Sequence, residues 1–225
     1  RGHTRGECRH CTGMAAASQA AEALEFFKSG CKPKNLKALL ETGKMLDEFV
    51  REQRLQGRPV VCVSSGGTSA PLEQNTVRSI DNFSTGRRGA LSAETFIRLG
   101  YGVIYLHREG CAAPYARSFQ ECVSPHMDLD LMESLVLNDR RQVEVVTEAV
   151  ASGRVESDGR LVDALVAFRS AVEDQALLPI PFTTVTEYLW LLRLVALRMH
   201  TLGPQGMLYL AAAVSDFYVP DDRLQ

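Results

Sequence analysis

Pro59-Val60-Val61-Cys62-Val63 leads into Ser64-Ser65-Gly66-Gly67-Thr68, and Asp81-Asn82-Phe83-Ser84-Thr85-Gly86-Arg87-Arg88-Gly89 leads into Ala90–Leu99. The first run is apolar and bounded by a proline and a glycine turn, which predicts a buried strand. The last run carries a helical pattern ending at Gly100. A buried strand, a polar loop and a helix start in this order build an anion site. Glycines let the backbone approach a ligand, and a helix start offers unpaired N–H groups and the positive dipole end. Arg87 and Arg88 add charge in the first turn, where the dipole disfavours cations unless an anion is present. Residues 64–89 are therefore read as a site for a phosphate-bearing ligand. The alternative is an ordinary turn followed by a capped helix.

Outward from this stretch, Gly102–Leu106 reads as a second, almost wholly apolar strand, completing a βαβ unit with its ligand site at the C-terminal strand ends. Ahead of it, Ala15–Lys28 and Leu36–Arg54 carry helical spacing, with Pro33 between them. Beyond it, Asp128–Asn138 suits a short helix and Gln142–Val146 a strand. Arg160–Leu177 predicts an amphipathic helix with Leu161, Ala164, Leu165, Phe168, Ala171 and Val172 on one face. Pro179–Phe182 is a short extended piece. Thr183 or Thr184 caps a helix over Val185–Leu202. Met207–Val214 predicts a third core strand. The expected class is α/β, a Rossmann-like three-layer fold with a mainly parallel sheet plus N-terminal helices.

The 225 residues suffice for a full core, and a net charge of −2 gives no electrostatic reason to bind nucleic acid. The longest apolar run, near Leu189–Met199, is cut by Arg193 and Arg198 and is too short for a membrane span. The spacing of the six cysteines suggests no disulfide framework, which favours a reducing compartment. Cys8-Arg9-His10-Cys11 lacks the second pair that structural zinc requires. Residues 1–13 have no hydrophobic period and are expected to be an appended or untranslated leader. Residues 14–56 would then form N-terminal helices and 57–225 the main domain.

The glycine pattern fits neither G-x-G-x-x-G nor G-x-x-x-x-G-K-[ST]. An NAD(P)-dependent reductase is disfavoured for that reason, and no Ser/His/Asp triad can be argued. Four features stand out as candidates. The Asn82 amide could stabilise developing charge, or serve turn chemistry. Asp216 stands just past the expected end of a core strand. Ala211–Ala213 either keeps that strand end open or packs tightly. Arg78 is a loop charge.

Taken jointly, Ser64–Thr68, Pro71-Leu72-Glu73, Val77-Arg78, Asp81–Gly89 and Tyr209–Phe217 closely resemble phosphopantothenoylcysteine synthetase, in its eukaryotic, stand-alone branch. The resemblance covers most of 57–220. It implies a ligase of coenzyme A biosynthesis that joins 4′-phosphopantothenate to L-cysteine through an acyl-adenylate, with ATP as co-substrate and Mg²⁺. It further implies a cytoplasmic homodimer. By the same resemblance Gly66, Ser84, Gly86 and Gly89 line the nucleotide site. Asn82 contacts phosphopantothenate and turns over the adenylate, and Ala212, Ala213 and Asp216 hold the pantothenate portion. Arg78 reaches the phosphate in the partner subunit's site. The family's pattern continues past the Val-Pro matched by Val219-Pro220 with a lysine-bearing segment. Asp221–Gln225 does not match it, so the expectation is a truncated ligase domain with an incomplete sheet and little activity. The competing expectation is a catalytically inactive nucleotide-binding or interaction protein of the same fold.

Overall fold

An apolar strand is stable only when covered on both faces, and β1 (Val60–Ser65), apolar up to its two terminal serines, is buried throughout. In the computed structural model of the chain, residues 23, 25–27, 35–75, 78–116, 135–137, 143–145, 159–220, 223 and 224 are described. The strands are β1, Ser69–Pro71 (β2), Ser79–Asp81 (β3), Gly102–Arg108 (β4), Leu135–Leu137 (β5), Val143–Val145 (β6), Leu177–Phe182 (β7) and Gly206–Leu210 (β8). The helices are Leu36–Leu55 (α1), Arg87–Arg98 (α2), Gly159–Glu173 (α3) and Val185–Met199 (α4). Four strands form one parallel sheet in the order β7-β4-β1-β8. β2–β3 and β5–β6 are separate antiparallel pairs.

Alternation along β1 sends Val60 and Cys62 to one face and Val61 and Val63 to the other. The first face packs against Leu46, Phe49 and Val50 of α1 and Tyr188, Leu191 and Val195 of α4. The second packs against α2 through Ala90 and Ala93, small residues that let the helix lie close. The expected three-layer α/β arrangement is present. Burial pushes the Cys62 thiol up to about 12, so it acts as a small hydrophobe.

Several expected boundaries move. The loop read across 64–85 contains the β2–β3 hairpin. Residues 135–137 form a strand where a helix was expected, and the expected strand at 142–146 is present as β6. α3 stops at Glu173 because Gln175 takes a left-handed φ of 50° and starts a turn into β7. Its expected apolar stripe is not covered among the described residues: Leu165, Phe168 and Val172 are exposed and only Ala171 is buried.

β7 is a full strand rather than a short extended piece. It tolerates Pro179 and Pro181 because it is an edge strand. The Ala176 and Phe182 carbonyls accept from Val103 and Glu109 N–H on the β4 side, so Pro179 and Pro181, of opposite parity, turn their missing N–H toward the open edge. Thr184 caps α4 in a full capping box with Glu187, as expected, but α4 ends at Met199 and a 3₁₀ turn follows. β8 ends at Leu210, four residues earlier than expected, and leaves Leu208 and Leu210 exposed at the other edge.

Of the expected helix 15–28, only Ala23 and Glu25–Phe27 are described. Phe27 packs edge-on against Trp190 at 4.9 Å, with Arg193 over its ring. The leader at 1–13, the Cys8–Cys11 pair and Val77 lie outside the described residues.

Candidate active site

In a parallel sheet the strands end together, and the loops that follow enclose a crevice at their carboxyl ends. Here β1 ends at Ser65 and β4 at Arg108. A cleft of about 760 Å³ opens between the 81–87 loop, the first turns of α2 and residues 108–112. Asn82, Ser84, Arg87 and Arg108 are among its lining residues. Gly86, with φ 75°, is the N-cap of α2 and has no side chain to cap it, while Thr85 Oγ1 accepts the Arg87 N–H at 3.5 Å. Ser84 Oγ accepts the Gly86 N–H at 3.3 Å, one step short of the helix.

The glycines of this stretch are required by contacts between chain segments. A Cβ on Gly66, whose φ is 87°, would meet Arg108 Cβ at 2.7 Å. On Gly86 it would meet Cys111 Sγ at 2.8 Å, and on Gly89 Ser65 Oγ at 2.4 Å. On Gly67 it would fall 1.6 Å from the Asn82 carbonyl oxygen. Sequence reasoning assigned the glycines to ligand approach. In the structure each of these positions is already filled by protein, and Gly66, Gly86 and Gly89 shape the cleft from behind.

Residues 211–215, which follow β8, are stitched to β1 and its loop. Ala211 N–H donates to Ser64 O, Ala213 N–H to Gly66 O, and Thr68 N–H to Ala213 O. Ala212 N–H donates to Ser64 Oγ at 3.2 Å and Ser215 N–H to Thr68 Oγ1 at 2.8 Å. The Asn82 amide donates to Val214 O at 3.1 Å, and Asn82 N–H donates to Thr68 O. Thr68, fully buried, thus holds Asn82, Ala213 and Ser215 at once. Thr68→Val keeps the shape but strands the Ser215 N–H. It is expected to cost about 1–3 kcal/mol, with Thr68→Ser restoring most of it, as urea unfolding will measure.

The charges are mixed. Arg108 donates through Nη1 to Asp81 at 2.9 Å, which holds the Asp81 carboxyl below its ordinary range. Glu94 accepts the Tyr115 N–H at 2.8 Å. Tyr105 donates its hydroxyl to Ala112 O at 2.6 Å and lies 3.0 Å from Ser65 Oγ, which itself donates to Gly86 O. Burial raises both Tyr105 and the half-buried Cys111, so neither is an activated nucleophile. No group of three His, Cys, Asp or Glu able to hold a metal occurs among the described residues.

Of the residues singled out from sequence, Asn82 and Ser84 line the cleft. Ala212 and Ala213 lie in the stitched segment that Asn82 touches at Val214. Asp216 is exposed, and with β8 ending at Leu210 it lies six residues past the strand rather than just beyond it. Arg78 is paired with Glu73 across the β2–β3 hairpin and lines a separate shallow depression with Leu72 and Arg223. Ser64 and Thr68 were read only as part of the 64–89 loop, and Arg108 was not singled out. Their signal was available: each is a polar residue at or just past the C-terminal end of an apolar strand.

No protein-family model matches the chain. It is 48% identical over 168 residues, 74% of its length, to phosphopantothenate–cysteine ligase 2 of Oryza sativa subsp. japonica, covering 46% of that protein. It is 40% identical over 204 residues, 90% of its length, to phosphopantothenate–cysteine ligase CAB2 of Saccharomyces cerevisiae, covering 50% of it. A solved structure of a Cab2 mutant in complex with phosphopantothenate-cysteine matches 89% of the chain at 38% identity with a TM-score of 0.72, over 59% of that structure's own chain. The chain spans about half the length of the curated relatives it matches.

Proposed function

We propose, from this chain's kinship with the phosphopantothenate–cysteine ligases, that the protein joins 4′-phosphopantothenate to L-cysteine in coenzyme A biosynthesis. The identity of 40–48% to such ligases carries the proposal. The geometry supports it, because Asn82 bridges the cleft loop and the 211–215 segment.

Forming an amide from a carboxylate requires a better leaving group on that carboxylate. ATP supplies one: the carboxylate attacks the α-phosphate, pyrophosphate leaves, and the cysteine amine then displaces AMP. The chain's part is to hold two anions together and offset their charge. The start of α2 and the side chains of Ser84 and Arg87 face the nucleotide, with Gly66, Gly86 and Gly89 fixing the loop's shape. Asn82 offers an amide N–H to the acyl oxygen. Ala212, Ala213 and Asp216 receive the pantothenate portion.

Arg78 lines a depression separate from the cleft, which fits a role in the site of a second copy, and a homodimer is part of the proposal. Mg²⁺ would arrive on the triphosphate, and no residue is assigned to it. No described helix is long and apolar enough to cross a membrane, and a cytoplasmic location is part of the proposal.

A non-catalytic nucleotide-binding or interaction protein of the same fold is the second reading. The packing of the motif glycines against protein favours it, because the motif would persist without chemistry. A coupled pyrophosphate assay separates the two. Pyrophosphate release that requires both ATP and phosphopantothenate, before cysteine is added, is the expected result. Orthophosphate alone would overturn the adenylate route, and nucleotide binding without turnover would establish the second reading.

A further inference from the structure

β4 is apolar until its last two residues, His107 and Arg108, and Arg108 ends the strand inside the cleft. Its side chain is about one-quarter exposed. Both of its hydrogen bonds use Nη1: to Asp81 at 2.9 Å and to Gly67 O at 3.5 Å. Nε and Nη2 donate to no group among the described residues. These two nitrogens form the side-on edge of the guanidinium, the fork that matches two oxygens of one phosphate. Asp81 therefore fixes the guanidinium by one corner, and its bidentate edge has no hydrogen-bond partner among the described residues.

Opposite charge in the cleft sharpens the point. Arg87 and Arg108 face three lining carboxylates, Asp81, Glu94 and Glu109. Asp81 is tied to Arg108 and Glu94 to the Tyr115 N–H, and Glu109 is 3.5 Å from Thr183 Oγ1. A polyanion entering here depends on the few cationic donors available.

We propose that Arg108 is a binding residue of this cleft, taking two oxygens of a nucleotide's polyphosphate on its Nε–Nη2 edge while Asp81 holds it in place. The proposal rests on the ligase reading for its ligand. The anchoring also explains why Gly66 packs against Arg108 Cβ: the two strand ends are pressed together where the anion would lie.

The test uses the full natural protein, with calorimetric binding of inorganic pyrophosphate and of ATP, and with steady-state kinetics. Arg108→Gln is expected to weaken both ligands about ten- to hundredfold, the range for a hydrogen bond to a charged group. It should raise KM for ATP and leave KM for phosphopantothenate unchanged. Arg108→Lys should recover part of the affinity as a point charge. Asp81→Asn breaks the ion pair but keeps the arginine, and should lose less than Arg108→Gln.

Unchanged pyrophosphate and ATP binding in Arg108→Gln would overturn the proposal, as would equal losses in Arg108→Gln and Asp81→Asn, which would make the pair purely structural. Arg108-dependent pyrophosphate binding without ligation would sustain this inference and sink the ligase reading. Ligation untouched by Arg108→Gln would do the reverse, and a wild-type protein that binds neither ligand would sink both.

Discussion

On the proposed ligase function, Asn82→Asp is expected to slow amide formation by about 10²–10³, the typical loss of one donor to a developing oxyanion. The structure adds a second consequence. Asn82 uses one amide N–H on Val214 O, and its other donates to no group among the described residues. A carboxylate can donate neither, and it would set an oxygen against the Val214 carbonyl. Asp81, the preceding residue, is held ionised by Arg108 and is half exposed. The variant should therefore also lose about 1–3 kcal/mol of stability from the broken bond. Rapid-quench analysis should show the acyl-adenylate forming faster than it is consumed. Equal slowing of both steps would reduce Asn82 to a positioning role, and an unchanged melting midpoint would mean the Val214 contact carries no weight.

Gly67→Ala should be the most damaging change of a single methyl. The added carbon would stand 1.6 Å from the Asn82 carbonyl oxygen and 2.8 Å from its carbon. Both are backbone atoms, and Thr68 holds Asn82 from the adjacent position, so nothing flexible can swing aside. About 3 kcal/mol or more of destabilisation is expected, the upper end for forced overpacking. Asn82 would be displaced with it, so ligation should fall more than tenfold even where the variant remains folded. Gly57→Ala is the control. Gly57 has φ 67° but meets nothing within 4 Å, so only backbone strain of about 1–2 kcal/mol applies, with no effect on rate. Denaturant melts and assays of the two variants side by side decide. A Gly67→Ala protein matching the Gly57→Ala control would refute the close approach.

The elements that carried strong local signals were the ones legible in the sequence. β1 and β4 open as apolar runs, Val60–Val63 and Val103–Leu106, and Thr184 with Glu187 is a capping signature that needs no tertiary information. What failed depended on neighbours. β7 carries two prolines and looked like a fragment, because only its place at the sheet edge makes them harmless. The apolar residues of α3 looked like a core face, yet periodicity does not reveal whether a partner covers them. The end of β8 was overrun because Ala211–Val214 is as apolar as a strand. Its hydrogen bonds go instead to Ser64 Oγ, Gly66 and Asn82, partners about 130–150 residues away along the chain. In the site, Asn82 was singled out from its loop and Ser84 by the family resemblance, and both line the cleft. Arg108 escaped because a charge at a strand end looks like any solvated residue until Asp81 is found beside it.

The glycine contacts bear on how related genes should be sorted. Gly66, Gly67, Gly86 and Gly89 are pinned by Arg108, Asn82, Cys111 and Ser65, so purifying selection for a folded chain would preserve them in a duplicate that had lost its chemistry. A genome survey scoring the glycine signature would count such silent paralogues as enzymes. The side chains whose loss the fold could survive, the Asn82 amide and the Arg108 guanidinium, are the better diagnostic, because drift would erase them first once catalysis ceased to matter.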